Sequence, residues 1–284
     1  MSVKKVLVAG AGQMGAGIAQ VSAVAGLDVV MTDVAEEFVE RGMAGITKGL
    51  GRLVEKGRME AAARDAALAR ITTSTDIAAG ADADLFIEAA PESMEIKEDL
   101  LGRAAAALRE DAILATNTSS LPVTKLAAFV TFPERFVGIH FFNPPPAMAL
   151  VEVIRGEKTS DATMAAARAY AEAVGKTPIS ASDSPGFVVN RILFPMINEA
   201  AREFQEGVAS AEAIDTGMKL GANWPMGPLA LADLVGLDTT SAILASLARE
   251  LGEPKFEPAA IMGELVAQGK LGRKSGAGFY EYGK

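Results

Sequence analysis

Lys5-Val6-Leu7-Val8-Ala9-Gly10-Ala11-Gly12-Gln13-Met14-Gly15 carries an apolar, strand-prone run straight into three glycines, and Ile18, Val21 and Val24 follow at helical spacing. A change from strand to helix across G-x-G-x-x-G is the pattern of a dinucleotide-binding turn. Gly10 permits the tight turn, Gly12 lets backbone approach a pyrophosphate, and Gly15 lets the helix pack closely on the strand. The amides and dipole of the helix start, around Gln13 and Met14, attract phosphate.

The next β-branched run, Val29-Val30-Met31-Thr32, ends at Asp33. An acid at that distance accepts hydrogen bonds from an adenosine ribose and repels a 2′-phosphate, so NAD is expected rather than NADP. A generic tight turn followed by a surface aspartate is the competing reading, but it does not account for the strand, the helix and the acid together. FAD-binding proteins share the glycines; the short helical second half described below favours a nicotinamide dinucleotide.

Outward from this unit, Glu36 to about Lys56 and the polar stretch to Arg70 both read as helical, an inserted helical pair before Ile71. Further strands are expected at Leu85-Phe86-Ile87, Ile113-Leu114-Ala115, Phe136 to His140 and Leu150 to Ile154. Strands alternating with helices predict an α/β, Rossmann-type, mostly parallel sheet with helices on both faces. After Asp183-Ser184-Pro185-Gly186 the strand signals stop, and Phe187 to Glu206 and Thr239 to Leu251 read as helices. The expected domains are therefore 1–185, dinucleotide-binding, and 186–284, all-helical.

The 284 residues suit two domains, and a hydrophobic share of 50% gives ample material for cores. A net charge of −9 argues against a general nucleic-acid role, since no excess of Lys and Arg is present to displace counterions. The chain has no cysteine, which removes thiolate nucleophiles and cysteine metal sites. Lys4 and Lys5 before an apolar run have the layout of a secretion signal, but the glycine spacing favours a buried strand. With no uninterrupted apolar stretch of spanning length, neither a membrane partner nor export is expected, and the cytoplasm is.

His140 is the one histidine, so any imidazole chemistry falls on it. It stands where the carboxyl end of a strand meets a ligand crevice, and Phe141-Phe142-Asn143-Pro144-Pro145-Pro146 then stops the strand. Twelve residues on, Glu152 interrupts an apolar strand. A carboxylate there holds one ring N–H of His140 or forms a structural salt bridge to an Arg or Lys; spacing alone leaves both open. Arg41, Lys48, Arg52 and Lys56 recur near one stripe of the inserted helix, as a site for the phosphates of an anionic ligand or as a solvated face.

The stretches GAGQMGAGIAQ (10–20), NTSSLPVTKLA (117–127), RFVGIHFFNPPP (135–146) with LVEVI (150–154), DSPGFVVNRIL (183–193), NWPMGPLALADLVGLD (223–238) and GRKSGAGFY (272–280) span essentially the whole chain. Together they resemble the L-3-hydroxyacyl-CoA dehydrogenase family, particularly its bacterial 3-hydroxybutyryl-CoA members. The resemblance implies that His140 and Glu152 form the catalytic pair, that Ser119 and Asn190 contact substrate, and that Glu92, Lys97, Asn117, Ser119, Asn143 and Lys274 lie against NAD. It tips the inserted helix toward CoA binding, with Lys56 the best match. It implies an acyl-CoA substrate such as acetoacetyl-CoA, no metal, and a homodimer formed through the helical domain. The competing functions are a gulonate-type hydroxyacid dehydrogenase without CoA and a non-enzymatic NAD-binding structural protein. Chain-length preference and pathway, fatty-acid metabolism among them, stay open.

Overall fold

The computed structural model describes residues 3–283. The order along the chain begins β1 (Lys5–Ala9), α1 (Gln13–Val24), β2 (Asp28–Thr32), α2 (Glu36–Glu55), α3 (Ala61–Ala69), β3 (Ile71–Ser74), β4 (Leu85–Glu88), α4 (Met94–Ala107) and β5 (Ile113–Thr116). It continues with α5 (Val123–Leu126), β6 (Phe136–Phe141), β7 (Leu150–Arg155), α6 (Asp161–Ala173) and β8 (Thr177–Ser182). The rest is helical: α7 (Val189–Gln205), α8 (Ala211–Gly221), α9 (Pro228–Val235), α10 (Leu237–Leu251) and α11 (Ala260–Ala267). Contacts divide the chain into one unit to Phe187 and a second from Val188.

In the first unit the eight strands form one sheet in the order β3-β2-β1-β4-β5-β6-β7-β8. Strands β1 to β6 are parallel neighbours; β7 turns back antiparallel to β6, and β8 runs parallel to β7. Helices cover both faces, so alternate residues of one strand enter different cores. Val6 and Val8 pack with Ile46, Leu50 and Ile87 on one face, while Leu7 and Ala9 pack with Phe86, Leu101 and Leu114 on the other. This is why the central strands read as continuous apolar runs. The inserted pair α2 and α3 buries Val39, Ile46, Leu50 and Ala67 and leaves its charged residues outside.

Two strands depart from the expectation, β3 and β8, and they are the two edges of the sheet. Each is only partly buried, so neither carries the apolar run that marks the centre. Pro178 in β8 further disguises it, and an edge strand tolerates that proline because one row of its amides has no ladder partner to meet.

The second unit is helical, with Phe194, Ile197, Leu229, Leu237, Leu244, Phe256 and Met262 in its core. Among the described residues it departs from all-helical at isolated bridges joining Gly272 to Ala277 and Ala277 to Glu281. Two buried aspartates tie that C-terminal segment down. Asp233 accepts from the Phe279 and Tyr280 amides and the Tyr282 hydroxyl, and Asp215 accepts from the Leu229 and Ala230 amides and the Tyr280 hydroxyl. No single helix among the described residues is long and apolar enough to cross a membrane. The pair α9 and α10 reaches that length and composition only jointly and is bent by 99°.

Candidate active site

Because β1, β4, β5 and β6 run parallel, their carboxyl ends share one edge of the sheet. The strand order reverses between β1 and β4, which opens a crevice of the kind that receives dinucleotides. A cavity of about 1010 Å³ lies there, lined by Gly10, Gly12, Asp33, Phe38, Arg41 and Ala90 among others.

The glycines differ in what confines them. Gly10 has φ +106°, and a Cβ on it would stand 2.6 Å from the Ala89 carbonyl oxygen; a Cβ on Gly15 would stand 1.7 Å from the Gly10 oxygen. Both are demanded by the fold. A Cβ on Gly12 would meet nothing within 4 Å, so its bareness serves the open space over the start of α1, where the approach of a pyrophosphate needs it. Gln13 is exposed and Met14 half-buried in the same turn. Asp33 accepts from the Ala11 amide through Oδ2 and from the Val34 amide through Oδ1, both at 2.7 Å, so the expected ribose acceptor also braces the glycine turn. A cradle open at Gly12 with the Asp33 carboxylate beside it on the same cavity fits an NAD cofactor.

His140 and Glu152 are direct partners in the antiparallel register of β6 and β7, which puts both side chains on one face. Glu152 Oε2 lies 2.7 Å from His140 Nδ1, and both residues are buried. Of the readings open at this glutamate, a contact with the ring is the one the register provides. Phe142 and Phe187 flank the imidazole, with ring centroids 4.7 and 5.6 Å away.

Ser119 follows β5, on a loop gathered by Glu92. Glu92 Oε1 accepts from the Ser119 and Ser120 amides at 2.9 Å, from the Thr118 hydroxyl at 2.5 Å and from the Ser120 hydroxyl at 2.9 Å. Burial pushes the Glu92 carboxyl up, but the Lys97 ammonium and these hydrogen bonds outweigh it and hold the pKa below the usual glutamate range. Asn117 bridges strands: its amide donates to the Glu88 carbonyl at 2.8 Å, and its Oδ1 accepts from the Phe141 amide at 2.8 Å, one residue past His140. Lys97 lies in α4, buried, with its ammonium on Glu88. Asn143 is exposed in the turn after β6.

The remaining expected residues lie apart from this cluster in the chain. Lys56 is exposed at the C-terminal cap of α2, and Arg41, Lys48 and Arg52 are exposed on the same helix. Asn190 and Lys274 belong to the second unit: Asn190 is buried at the start of α7, and Lys274 pairs with Asp238 at 2.6 Å. Sequence reasoning passed over Glu88 and Thr116, which are hydrogen-bonded to each other at the ends of β4 and β5. The signal was present, since Glu88 closes the apolar run Leu85-Phe86-Ile87 much as Glu152 interrupts β7.

Residues 5–184 match the model of the 3-hydroxyacyl-CoA dehydrogenase NAD binding domain, and residues 186–282 match that of the 3-hydroxyacyl-CoA dehydrogenase C-terminal domain. A probable 3-hydroxybutyryl-CoA dehydrogenase of Deinococcus radiodurans is 52% identical over 275 residues, covering 97% of this chain and 99% of that protein. The 3-hydroxybutyryl-CoA dehydrogenase of Bradyrhizobium diazoefficiens is 48% identical over 99% of this chain and 96% of its own. Among solved structures, the (S)-3-hydroxybutyryl-CoA dehydrogenase of Ralstonia eutropha superposes with a TM-score of 0.97 at 51% identity, covering 100% of both chains.

Proposed function

The chain belongs to the 3-hydroxyacyl-CoA dehydrogenase family, and from that premise we propose that it catalyses the reversible, NAD-dependent oxidation of a short-chain (S)-3-hydroxyacyl-CoA, such as 3-hydroxybutyryl-CoA, to the 3-ketoacyl-CoA. The observation that carries the reading is the buried His140–Glu152 pair at the same sheet edge as the Gly12 cradle.

Removing hydride from a secondary alcohol carbon requires that the hydroxyl proton leave as well. When bound, NAD supplies the hydride acceptor. With Nδ1 engaged by Glu152, the opposite ring nitrogen, Nε2, takes the hydroxyl proton in oxidation and returns it in reduction. Glu152 fixes the ring orientation and stabilises the imidazolium that forms. Ser119 and Asn190 hold the hydroxyl or keto oxygen in line, a role that needs defined geometry more than charge. Gly10, Gly12, Gln13, Met14, Gly15, Asp33, Glu92, Lys97, Asn117, Asn143 and Lys274 form the cofactor side, and Lys56 with its basic neighbours meets the CoA phosphates.

The reading takes the active species as a homodimer through the second unit, where Ile192, Leu220 and Leu234 are exposed apolar residues. Dinucleotide and CoA thioester both carry phosphate charge and do not cross a bilayer unaided, so the reading places the chain where both are held, the cytoplasm. Steady-state assays with acetoacetyl-CoA and longer 3-ketoacyl-CoAs, each with NADH and NADPH, test it. Turnover of acetoacetyl-CoA with NADH is expected; activity confined to free hydroxyacids, or tight NADH binding with no turnover, would contradict it.

A further inference from the structure

We propose that Lys176 and Gly17 are positioning residues for the reaction: together they seat Pro145, and Pro145 fixes the loop between His140 and Glu152 against the helix that carries the dinucleotide turn. The inference rests on the roles proposed for His140 and for the Gly12 cradle, and it adds to them three residues that lie outside both.

Residues 142–149 join β6 to β7, so this loop connects the two members of the proposed catalytic pair and carries Asn143. Its sequence gives it little means of holding itself. Pro144, Pro145 and Pro146 each offer a carbonyl acceptor and no N–H, so three successive residues donate nothing. The Pro144 carbonyl is met from within the loop, by the Ala147 and Met148 amides at 3.0 and 3.1 Å. The Pro145 carbonyl is met from outside: the Lys176 ammonium, in the turn between α6 and β8, donates to it at 2.6 Å and to the Met148 carbonyl at 2.9 Å. Burial lowers the pKa of Lys176 from the ordinary lysine value, so the ammonium is kept there against a desolvation cost that the two carbonyls offset only in part.

The Pro145 ring has its own seat. Pro145 is buried while its neighbours Pro144 and Pro146 are exposed, so the loop enters the core at this residue. It enters on α1: a Cβ on Gly17 would stand 2.7 Å from Pro145 Cδ and 2.8 Å from Cγ, well inside the separation of about 3.5 Å at which carbon atoms rest. Gly17 lies within α1, beyond the three glycines of the turn, and its helical backbone would accept other residues. The space for Pro145 is what calls for glycine there. This contact sets how far the strand end bearing His140 stands from the start of α1, where the pyrophosphate is proposed to bind. The spacing matters to the chemistry, because a misplacement of about 1 Å between reacting groups costs on the order of a hundredfold in rate.

Gly17→Ala, Pro145→Ala, the variant carrying both, and Lys176→Met test this. For each, thermal melts, NADH affinity by fluorescence, kcat and KM for acetoacetyl-CoA, and the deuterium isotope effect on kcat with NADH deuterated at the transferred position are measured. Gly17→Ala is expected to lower kcat and kcat/KM together by roughly ten- to a hundredfold, with a larger isotope effect than the parent because hydride transfer becomes the slow step. The same substitution in the Pro145→Ala background, where Cγ and Cδ are gone, should cost less than about threefold. Lys176→Met adds no bulk to α1 and keeps the test open if Gly17→Ala does not fold; it should lower kcat in the same way, by about tenfold. A folded Gly17→Ala with parental kcat or isotope effect, or a loss equal in both backgrounds, would overturn the proposal. So would a Lys176→Met whose only change is a raised KM, which would put Lys176 on the substrate. A parent enzyme inactive on acetoacetyl-CoA would overturn the proposed reaction, and this inference with it, before any variant is compared.

Discussion

Glu152 Oε2 and His140 Nδ1 are 2.7 Å apart because the two residues sit directly opposite in an antiparallel pair, β6 against β7. A carboxylate that works only through the ring has nothing to do once the ring is gone. Glu152→Gln is therefore expected to be damaging in the parent and to add little in a His140→Gln background. The four kcat/KM values of the double-mutant cycle measure this, and losses that simply multiply would contradict a coupled pair.

Asp33 braces the Ala11 amide, and the proposed reading also has it present charge to the ribose. Asp33→Asn keeps an oxygen for the amide and removes the charge, whereas Asp33→Ala removes both. Both variants should lose discrimination against NADPH, because the repulsion of a 2′-phosphate is electrostatic. Only the alanine variant should also lose substantial NADH affinity. Dinucleotide titrations decide this, and an unchanged preference in both would remove Asp33 from the ribose site.

The glycine turn separates folding from binding. Gly12→Ala is expected to keep the melting temperature close to the parent while weakening NADH binding, since its Cβ meets only the open cavity. Gly15→Ala should lower the melting temperature markedly, because its Cβ would overlap the Gly10 carbonyl oxygen. Equal melting losses in the two variants would show that Gly12 is also held by packing.

Burial raises the pKa of Asp233 above the ordinary aspartate value, the hydrogen bonds from Phe279, Tyr280 and Tyr282 only partly opposing it, and Asp215 raises it further. The folded state thus holds this proton more tightly than the unfolded chain does. The stability so gained is complete below about pH 3.9, the unfolded value, and is lost as pH rises through the raised folded value. Asp233→Asn does not titrate, so the advantage of the parent over this variant in thermal melts should be largest in mild acid and shrink toward neutrality. An advantage that grows with pH would mean the carboxylate is favoured in the fold.

What the sequence disclosed follows from where each residue sits in the sheet. The turn at Gly10 to Gly15 was legible because Gly10 and Gly15 meet steric demands that only glycine satisfies and Gly12 completes their spacing, and β1, β4, β5 and β6 because strands buried on both faces leave apolar runs. The edges β3 and β8 are half-covered, so their residues are chosen for solvent as much as for core, and no run marks them. The same holds inside the site. Glu152 stood out against its strand neighbours, but the Glu88–Lys97–Glu92 network joins residues whose tertiary partners no periodicity encodes.

The most direct test of the central claim is the turnover of His140→Gln on acetoacetyl-CoA, measured beside its NADH affinity and melting temperature. Loss of a general acid–base group predicts a fall in kcat of about a hundredfold to ten-thousandfold, with NADH binding and fold retained. A folded variant that binds NADH and keeps near-parental turnover would contradict His140 as the proton-transfer group.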